Sequence, residues 1–239
     1  MGRDVSTIPI SRFTDEHERA CFICCNNYTS YRLSLGTGPI NDAVTFAKMA
    51  KRLGYDIFFT HNPKRRTFLN YLDKFLQNTT KDLVFYYVGH GTQVKDIHGD
   101  EDDGYDEAFV FDDGNVIDDE LVDHLINNKR EGMKLILVTD ACHSGSIWDI
   151  QGGNVNGRKL PSNVVSVSAA SDRQTAKQLM IERQEQGVFT HTMSKILKED
   201  SAITPKALQT RMRKSLARYG QTCTIASTSP EMLNEPFME

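Results

Sequence analysis

Short apolar segments alternate with amphipathic helical patterns along most of the chain, and this alternation constrains the fold more than any other feature. The predicted strands cover residues 19–26, 56–60, 83–88, 135–139, 164–169 and 222–226. The predicted helices cover residues 40–53, 68–76, 119–128, 189–197 and 205–219. Strands that are apolar on both faces and alternate with helices form parallel sheets covered on both sides. The sequence therefore predicts an α/β fold with a mainly parallel central sheet and helices on both faces.

Two details of the prediction concern turns and helix starts. Asn41 or Asp42 is expected to cap the helix over 40–53. An acidic loop is predicted over 96–107, followed by a hairpin with strands at 109–111 and 116–117 around a turn at 112–115.

Size and charge limit the function. The 239 residues suffice for one large domain or two small ones, and 39% hydrophobic residues can build a sizeable core. The net charge of −4 disfavours nucleic acid as the main partner, because phosphate binding needs a basic surface. No apolar run reaches membrane-spanning length and no secretory signal pattern is present, so no membrane association is expected.

Five cysteines occur without the spacing of a disulfide framework. An odd number in a chain of this length favours a reducing compartment, and we expect a cytoplasmic location with access to the nucleus. Cys21 and Cys24 have C-x-x-C spacing, but no second pair completes a zinc site. With Cys25 they are predicted to pack in the core of the first strand.

Two short segments carry candidate chemistry. Residues 87–91 (YVGHG) follow the strand at 83–88, and residues 140–145 (DACHSG) follow the strand at 135–139. Ligands of an open α/β sheet bind beyond the carboxyl ends of its strands. Both segments therefore lie where an active site is expected.

The two segments supply a nucleophile and a base. Cys142 becomes a good nucleophile as a thiolate, and His90 would take its proton and return it to the leaving amine. The amides of Gly91 and Cys142 would form an oxyanion hole. A cysteine and a histidine also follow strands by chance in many α/β domains. His143 adjoins Cys142 and is expected to point elsewhere, and Ser144 does not lie in a G-x-S-x-G motif.

YVGHG and DACHSG resemble the histidine and cysteine motifs of metacaspases, the caspase-like peptidases of clan CD. The resemblance extends to residues 35–43, 96–108, 116–121 and 166–176 in the order of the family, and it covers most of residues 19–226. It implies a caspase-like three-layer sandwich.

The resemblance also implies a cysteine endopeptidase that is activated by calcium and cleaves protein or peptide substrates after Arg or Lys at P1. His90 and Cys142 match its catalytic dyad, and Asp42 and Asp140 match the acids of its S1 pocket. Carboxylates suit this role because they bind a guanidinium through paired hydrogen bonds. Without the resemblance, Asp42 is a helix cap and Asp140 a turn residue at a strand end.

Calcium is the implied cofactor. Residues 96–120 contain twelve acids, and hard oxygen ligands suit Ca²⁺, although the spacing is not that of an EF-hand. By resemblance the metal ligands are four aspartates: Asp106, Asp118, Asp119 and Asp149. The alternative is a solvated acidic loop beside a helix N-terminus at Asp118.

The resemblance predicts the organisation of the chain. Residues 1–18 form an N-terminal arm, 19–151 a large p20-like part, 152–162 a linker and 163–239 a small p10-like part of one compact domain. This corresponds to a type I-like member without a prodomain, and a monomer is expected. Self-cleavage is expected in the linker at Arg158 or Lys159, with Lys177 and Arg183 as further candidates.

Two positions depart from the family pattern. Val88 stands where Ser is common, and Pro39 stands where Cys is common, both near the specificity pocket. A catalytically weak or inactive homologue that acts as a regulatory binding protein is therefore the alternative. Cleavage after Asn or Asp is disfavoured by Asp42 and Asp140, since an acidic P1 residue would be desolvated beside like charges. A flavodoxin-like binding domain is disfavoured because no Gly-rich phosphate loop follows the first strand.

Overall fold

The computed structural model of the chain describes residues 2–13, 15–95, 105–141, 147–155, 157–171 and 176–239, and it describes no side chains for residue 171 and residues 176–186. The strands are β1 Arg3–Asp4, β2 His17–Cys25, β3 Asp56–His61, β4 Thr79–Val88, β5 Gly91–Lys95, β6 Tyr105–Phe111, β7 Gly114–Ile117, β8 Lys134–Asp140, β9 Asn154–Val155, β10 Arg158–Lys159, β11 Val164–Ser171 and β12 Gln221–Ser227. The α-helices are α1 Gly38–Arg52, α2 Arg65–Asn78, α3 Asp118–Asn128, α4 Ala176–Glu199 and α5 Pro205–Leu216.

A central sheet of seven strands has the order β1-β3-β2-β4-β8-β11-β12. Neighbouring strands are parallel from β1 to β11, and the edge strand β12 runs antiparallel to β11. Strands β5, β6 and β7 form a small antiparallel sheet, and β9 pairs with β10 in a hairpin. The predicted mainly parallel central sheet is confirmed.

Side chains that alternate along the central strands build two separate cores. In β4, Phe85 and Tyr87 point into the core covered by α2 and α3. Tyr86 and Val88 point into the opposite core, which α1, α4 and α5 cover. The period of two is the reason that fully buried strands are apolar at nearly every position. Helices therefore lie on both faces, and the three-layer α/β sandwich is confirmed.

The start of α1 differs from the prediction. The helix begins at Gly38 and carries Pro39 in its first turn, where the fixed φ of proline suits a helix. Thr37 occupies the N-cap position without a side-chain capping bond. Asp42 therefore lies inside the helix, and the expectation that Asn41 or Asp42 caps it is wrong.

The polar segments hold more strand than predicted. Residues 105–107, expected in the acidic loop, belong to β6, and the hairpin turn is confined to residues 112–113. Strand β5 was not predicted. Part of the N-terminal arm joins the central sheet as β1, with Val5 and Phe13 buried.

The four described cysteines outside the DACHSG motif are reduced and buried: Cys21, Cys24, Cys25 and Cys223. Burial raises the pKa of the Cys25 thiol to about 12 and that of Cys223 to about 11. The prediction that the first three pack in a strand core is confirmed. Among the described residues, no helix is both long and apolar enough to cross a membrane.

Candidate active site

His90 lies just beyond β4, and hydrogen bonds fix its backbone on both sides. Its N–H donates to the Tyr28 hydroxyl at 2.7 Å. Its carbonyl oxygen accepts from the Tyr87 hydroxyl at 2.8 Å and from the Val110 N–H at 3.2 Å. Because these partners come from three different segments, the position of His90 depends on the fold around it.

Within the described part of the chain, a stacking contact and a hydrogen bond orient the imidazole of His90. The rings of Tyr28 and His90 stack with centroids 4.9 Å apart and an interplanar angle of 25°. The Nε2 atom of His90 lies 2.7 Å from the Leu33 carbonyl oxygen. A carbonyl oxygen only accepts, so Nε2 carries a hydrogen and Nδ1 is the proton acceptor of the neutral ring. A neutral ring in this tautomer can accept a proton at Nδ1.

Gly89, which precedes His90, has no room for a side chain. A Cβ atom at Gly89 would lie 2.9 Å from Asn26 Cβ and from the hydroxyl oxygens of Tyr28 and Tyr87. Any side chain there would displace the two tyrosines that hold His90. Gly91, the predicted oxyanion donor, opens β5 and pairs with Phe109 of β6.

The second motif begins at the end of the neighbouring strand. β4 and β8 pair in parallel, with Val88 opposite Asp140, so the two strand ends lie side by side. His90 and Cys142 each follow their strand by two residues. Cys142 itself, with residues 143–146, lies outside the described residues. The structure therefore places the strand that leads to the predicted nucleophile beside the strand that leads to the base.

Asp42 and Asp140, the predicted S1 acids, are buried as a pair. Asp140 ends β8 and Asp42 lies on α1, and they are 4% and 5% exposed. Burial raises the pKa of Asp42 to about 7. Burial, reinforced by Asp42, holds the pKa of Asp140 well above its usual range. Asp42 Oδ2 is buried and has no hydrogen-bond partner in the described part of the chain. Two buried carboxyl groups with an unused acceptor suit a cationic ligand.

Sequence reasoning missed two residues that adjoin this pair. The Thr190 hydroxyl donates to Asp140 Oδ2 at 2.6 Å, and the Tyr86 hydroxyl lies 2.6 Å from Thr190 Oγ1. Tyr86 precedes Val88 by two positions, and side chains two residues apart in a strand point to the same face of the sheet, so the sequence could have placed Tyr86 on the face of Val88. Thr190 is 50 residues from Asp140 in sequence and had no local signal.

Both departures from the family pattern lie close to the acidic pair. Val88 is fully buried, with Cys25 opposite it on one neighbouring strand and Asp140 opposite it on the other. Pro39 is buried in the first turn of α1. Neither side chain can form a hydrogen bond, so the binding of a cation here depends on the carboxyl groups.

Three of the four predicted calcium ligands lie near one another. Asp106 is buried in β6, and Asp118 and Asp119 open α3. Asp118 accepts hydrogen bonds from the N–H groups of Asp119 at 2.9 Å and Glu107 at 3.3 Å. Burial, reinforced by the charges of Asp106 and Asp119, raises the pKa of Asp118 to about 7, although these hydrogen bonds oppose the rise.

The fourth predicted ligand, Asp149, is exposed and follows the buried Trp148. The indole of Trp148 donates to Thr139 Oγ1 at 3.0 Å and packs edge-on against Phe85 and Phe109, so it anchors this segment to the core. Among the described residues, no three His, Cys, Asp or Glu side chains are arranged to hold a metal ion. The oxygen donors fit Ca²⁺ in chemistry, and their mutual repulsion fits a bound cation. Binding would require the carboxylates to move closer together.

The predicted linker is folded against these acids. Arg158, in the β9–β10 hairpin, forms an ion pair with Asp123 of α3, and its Nη2 lies 3.2 Å from Asp119 Oδ1. Lys159 is exposed beside it. A self-cleavage candidate thus contacts a calcium-ligand candidate. Lys177 and Arg183, the other candidates, have no described side chains.

Comparison with known sequences identifies the family. The family model described as "Caspase domain" matches residues 17–237. The chain is 44% identical to Metacaspase-1A of Aspergillus oryzae over 72 residues, which cover 28% of this chain and 17% of that protein. It is 24% identical to Metacaspase-1 of Saccharomyces cerevisiae over 219 residues, which cover 65% of this chain and 51% of that protein. The matches thus span at most about half the length of these relatives.

Solved structures support the same fold. The chain superposes on Caspase-1 of Spodoptera frugiperda with a TM-score of 0.64 and 14% identity, covering 91% of this chain and 89% of the other. The match to protein GSU0716 of Geobacter sulfurreducens has a TM-score of 0.62 and 19% identity, covering 90% and 96%. With a caspase-domain match over nearly its whole length and metacaspase relatives, the chain belongs to the caspase family of peptidases and is metacaspase-like.

Proposed function

We propose that this protein is a calcium-stimulated cysteine endopeptidase that cleaves after Arg or Lys, with Cys142 as nucleophile and His90 as base. The observation that carries the proposal is the buried pair of Asp42 and Asp140. Asp140 lies two residues before Cys142 in sequence, and Asp42 Oδ2 has no hydrogen-bond partner among the described residues. Burying two like charges is unfavourable unless a ligand compensates it. A basic P1 side chain supplies that compensation.

The proposed reaction uses the orientation of His90. Nδ1 takes the thiol proton of Cys142, and the thiolate attacks the carbonyl carbon of the scissile bond. The Gly91 and Cys142 amides stabilise the oxyanion. When the C–N bond breaks, His90 returns the proton to the leaving amine. Water, activated by the same ring, then hydrolyses the acyl-enzyme and regenerates the thiol.

A covalent label tests the assignment of nucleophile and pocket together. Peptidyl electrophiles that differ only at P1, with Arg, Lys or Asp, would be incubated with the protein and the modified residue found by mass spectrometry. We expect the Arg and Lys reagents to modify Cys142 at low concentration and the Asp reagent not to. Preferential labelling by the Asp reagent would contradict the pocket, and labelling of other cysteines alone would contradict the nucleophile.

The calcium part of the proposal assigns Asp106, Asp118, Asp119 and Asp149 as ligands. When bound, the ion would neutralise the repulsion among these carboxylates. Arg158 competes with calcium for these acids, because its guanidinium already pairs with Asp119 and Asp123.

Self-processing at Arg158 or Lys159 would require the β9–β10 hairpin to open. Fragments of calcium-treated protein should end at one of these residues, and an intact chain in active protein would contradict this.

Competition between Arg158 and calcium gives a measurable prediction. In the Cys142→Ala background, Arg158→Gln is expected to bind calcium about 1.4- to fivefold more tightly, since an exposed ion pair contributes about 0.2–1 kcal/mol. Calorimetric titration measures the affinity without any turnover. Lys159→Gln removes the same charge from an exposed neighbour and is the matched control. Equal affinities of the two variants would contradict a direct competition.

A monomeric state and a cytoplasmic location stay predictions. Strand β12 matters for the prediction of a monomer, because it lies at the edge of the central sheet and an edge strand can pair with a strand of another chain. Sedimentation of the Cys142→Ala protein with and without calcium measures the oligomeric state, and a stable dimer would contradict the prediction.

A further inference from the structure

The acidic pair is held from one side by α4. Thr190 donates its hydroxyl hydrogen to Asp140, and Gly187 lies three residues earlier on the same helix. A Cβ atom at Gly187 would lie 3.5 Å from Asp42 Oδ1. Residues three apart lie on the same face of a helix. One face of α4 therefore contacts both carboxyl groups, which belong to β8 and α1.

The hydrogen bonds around Thr190 run in one direction. A hydroxyl has one hydrogen, and that of Thr190 is used on Asp140 Oδ2. The Tyr86 hydroxyl, 2.6 Å away, must then donate to Thr190 Oγ1. The ring of Tyr86 is itself fixed by stacking on Phe46 of α1, with centroids 4.0 Å apart. The relay from Tyr86 through Thr190 delivers one oriented hydrogen to Asp140.

This relay favours the charged form of Asp140 and fixes one orientation of its carboxyl group. A hydrogen bond donated to a carboxylate stabilises its ionised state, which burial opposes. Fixing Oδ2 on Thr190 also determines the direction of the other oxygen. We propose that Thr190, oriented by Tyr86, is a positioning residue of the specificity pocket, which favours the ionised form of Asp140 and aims it so that Asp42 and Asp140 bind a basic P1 side chain together. This inference rests on the proposed function.

Substitutions at Thr190 separate the hydroxyl from the packing. Thr190 is almost completely buried, and valine matches its shape without the hydroxyl, while serine keeps the hydroxyl. We expect Thr190→Val to raise KM for P1-Arg peptides about 10- to 100-fold, since hydrogen bonds to charged groups are among the strong ones. The change in kcat should be smaller. Thr190→Ser should recover most of the affinity.

Binding without turnover provides the second readout. In the Cys142→Ala background, the affinity for a P1-Arg peptide would be titrated against pH by calorimetry. Thr190→Val and Tyr86→Phe should shift the midpoint of binding to higher pH, because Asp140 then ionises less readily, and Tyr86→Phe should have the smaller effect. A merely structural role would lower thermal stability without moving this midpoint.

The outcomes distinguish this inference from the proposed function. If wild type binds P1-Arg peptides but folded Thr190→Val has the same KM and the same pH midpoint, the positioning role is wrong and the pocket stands. If Thr190→Val does not fold, an unchanged midpoint in Tyr86→Phe overturns the inference in the same way. If wild type and Asp42→Asn both fail to discriminate Arg from uncharged citrulline at P1, the proposed pocket itself is wrong.

Discussion

Asp42→Asn is expected to remove the preference for a charged P1 residue. Truncating one partner of a buried charged pair costs about 2–5 kcal/mol, which corresponds to about 30- to 4,000-fold in kcat/KM. The measurement compares peptides with Arg and with citrulline at P1, because citrulline has the same shape without the charge. Wild type should prefer Arg strongly, and the preference should collapse in Asp42→Asn. Asp200→Asn, at an exposed position, is the control.

The same substitution is expected to stabilise the fold above neutral pH. Burial raises the pKa of Asp42 in the folded protein to about 7. The neutral carboxyl group therefore contributes fully to the free energy of unfolding below the pKa of the unfolded chain, and this contribution is lost as the pH rises through 7. Wild type and Asp42→Asn should therefore melt alike near pH 4. Above pH 7 the variant should gain on the order of 2–4 kcal/mol in free energy of unfolding.

A variant that loses Arg preference and gains stability separates a binding role from a structural one. If a buried carboxyl group served only the fold, its replacement would lower the free energy of unfolding of the protein. Asp42→Asn that is less stable than wild type at pH 8 would show that the carboxylate is needed by the fold, and would contradict its assignment as a pocket residue held ready for a cation.

His90→Ala is expected to lower kcat for P1-Arg peptides by about 10²–10⁴-fold with a small change in KM, since general acid–base catalysis contributes that much. His143→Ala removes a histidine adjacent to Cys142 and is the matched control. We expect it to keep most of its activity. Loss of activity in His143→Ala with retention in His90→Ala would reverse the assignment of the base.

Thiol alkylation offers a test of His90 that needs no substrate. The four described cysteines are buried, and burial raises their pKa values, so they react slowly. Alkylation of the native protein therefore reports on Cys142. Its rate near pH 6 should fall in His90→Ala, because the imidazole proposed to take the thiol proton is then missing. An unchanged rate would contradict the pairing of thiol and imidazole.

The sequence was sufficient for six of the seven central strands because they contain short apolar runs and alternate with helices that have a periodic apolar face. Strand β1 was missed because its two residues, Arg3 and Asp4, are polar and exposed. The pairing of β4 with β8 came from the structure, which sets the strand ends Val88 and Asp140 side by side. Strand β5 was missed because Gly91–Lys95 is polar and becomes a strand through pairing with β6. The start of α1 was missed because the proline in its first turn outweighs the capping residues that follow.

The details of the candidate site depend on contacts between distant residues. Tyr86 and Thr190 are 104 residues apart, and Arg158 meets Asp119 across 39 residues. No local pattern marks a threonine that donates to a buried carboxylate or an arginine that pairs across a linker. The predicted nucleophile, base and pocket acids came from short motifs, while the groups that contact His90 and Asp140 required the structure.

The most direct test of the account is cleavage of fluorogenic peptides that differ only at P1. Arg, Lys and Asp peptides would be incubated with purified protein, with calcium and with chelator, beside Cys142→Ala. The account predicts cleavage after Arg and Lys that requires calcium and is lost in the variant. Cleavage after Asp would contradict the assignment of Asp42 and Asp140 to a pocket for basic residues. Absence of cleavage by folded protein would contradict an enzymatic function and favour a binding role for the protein.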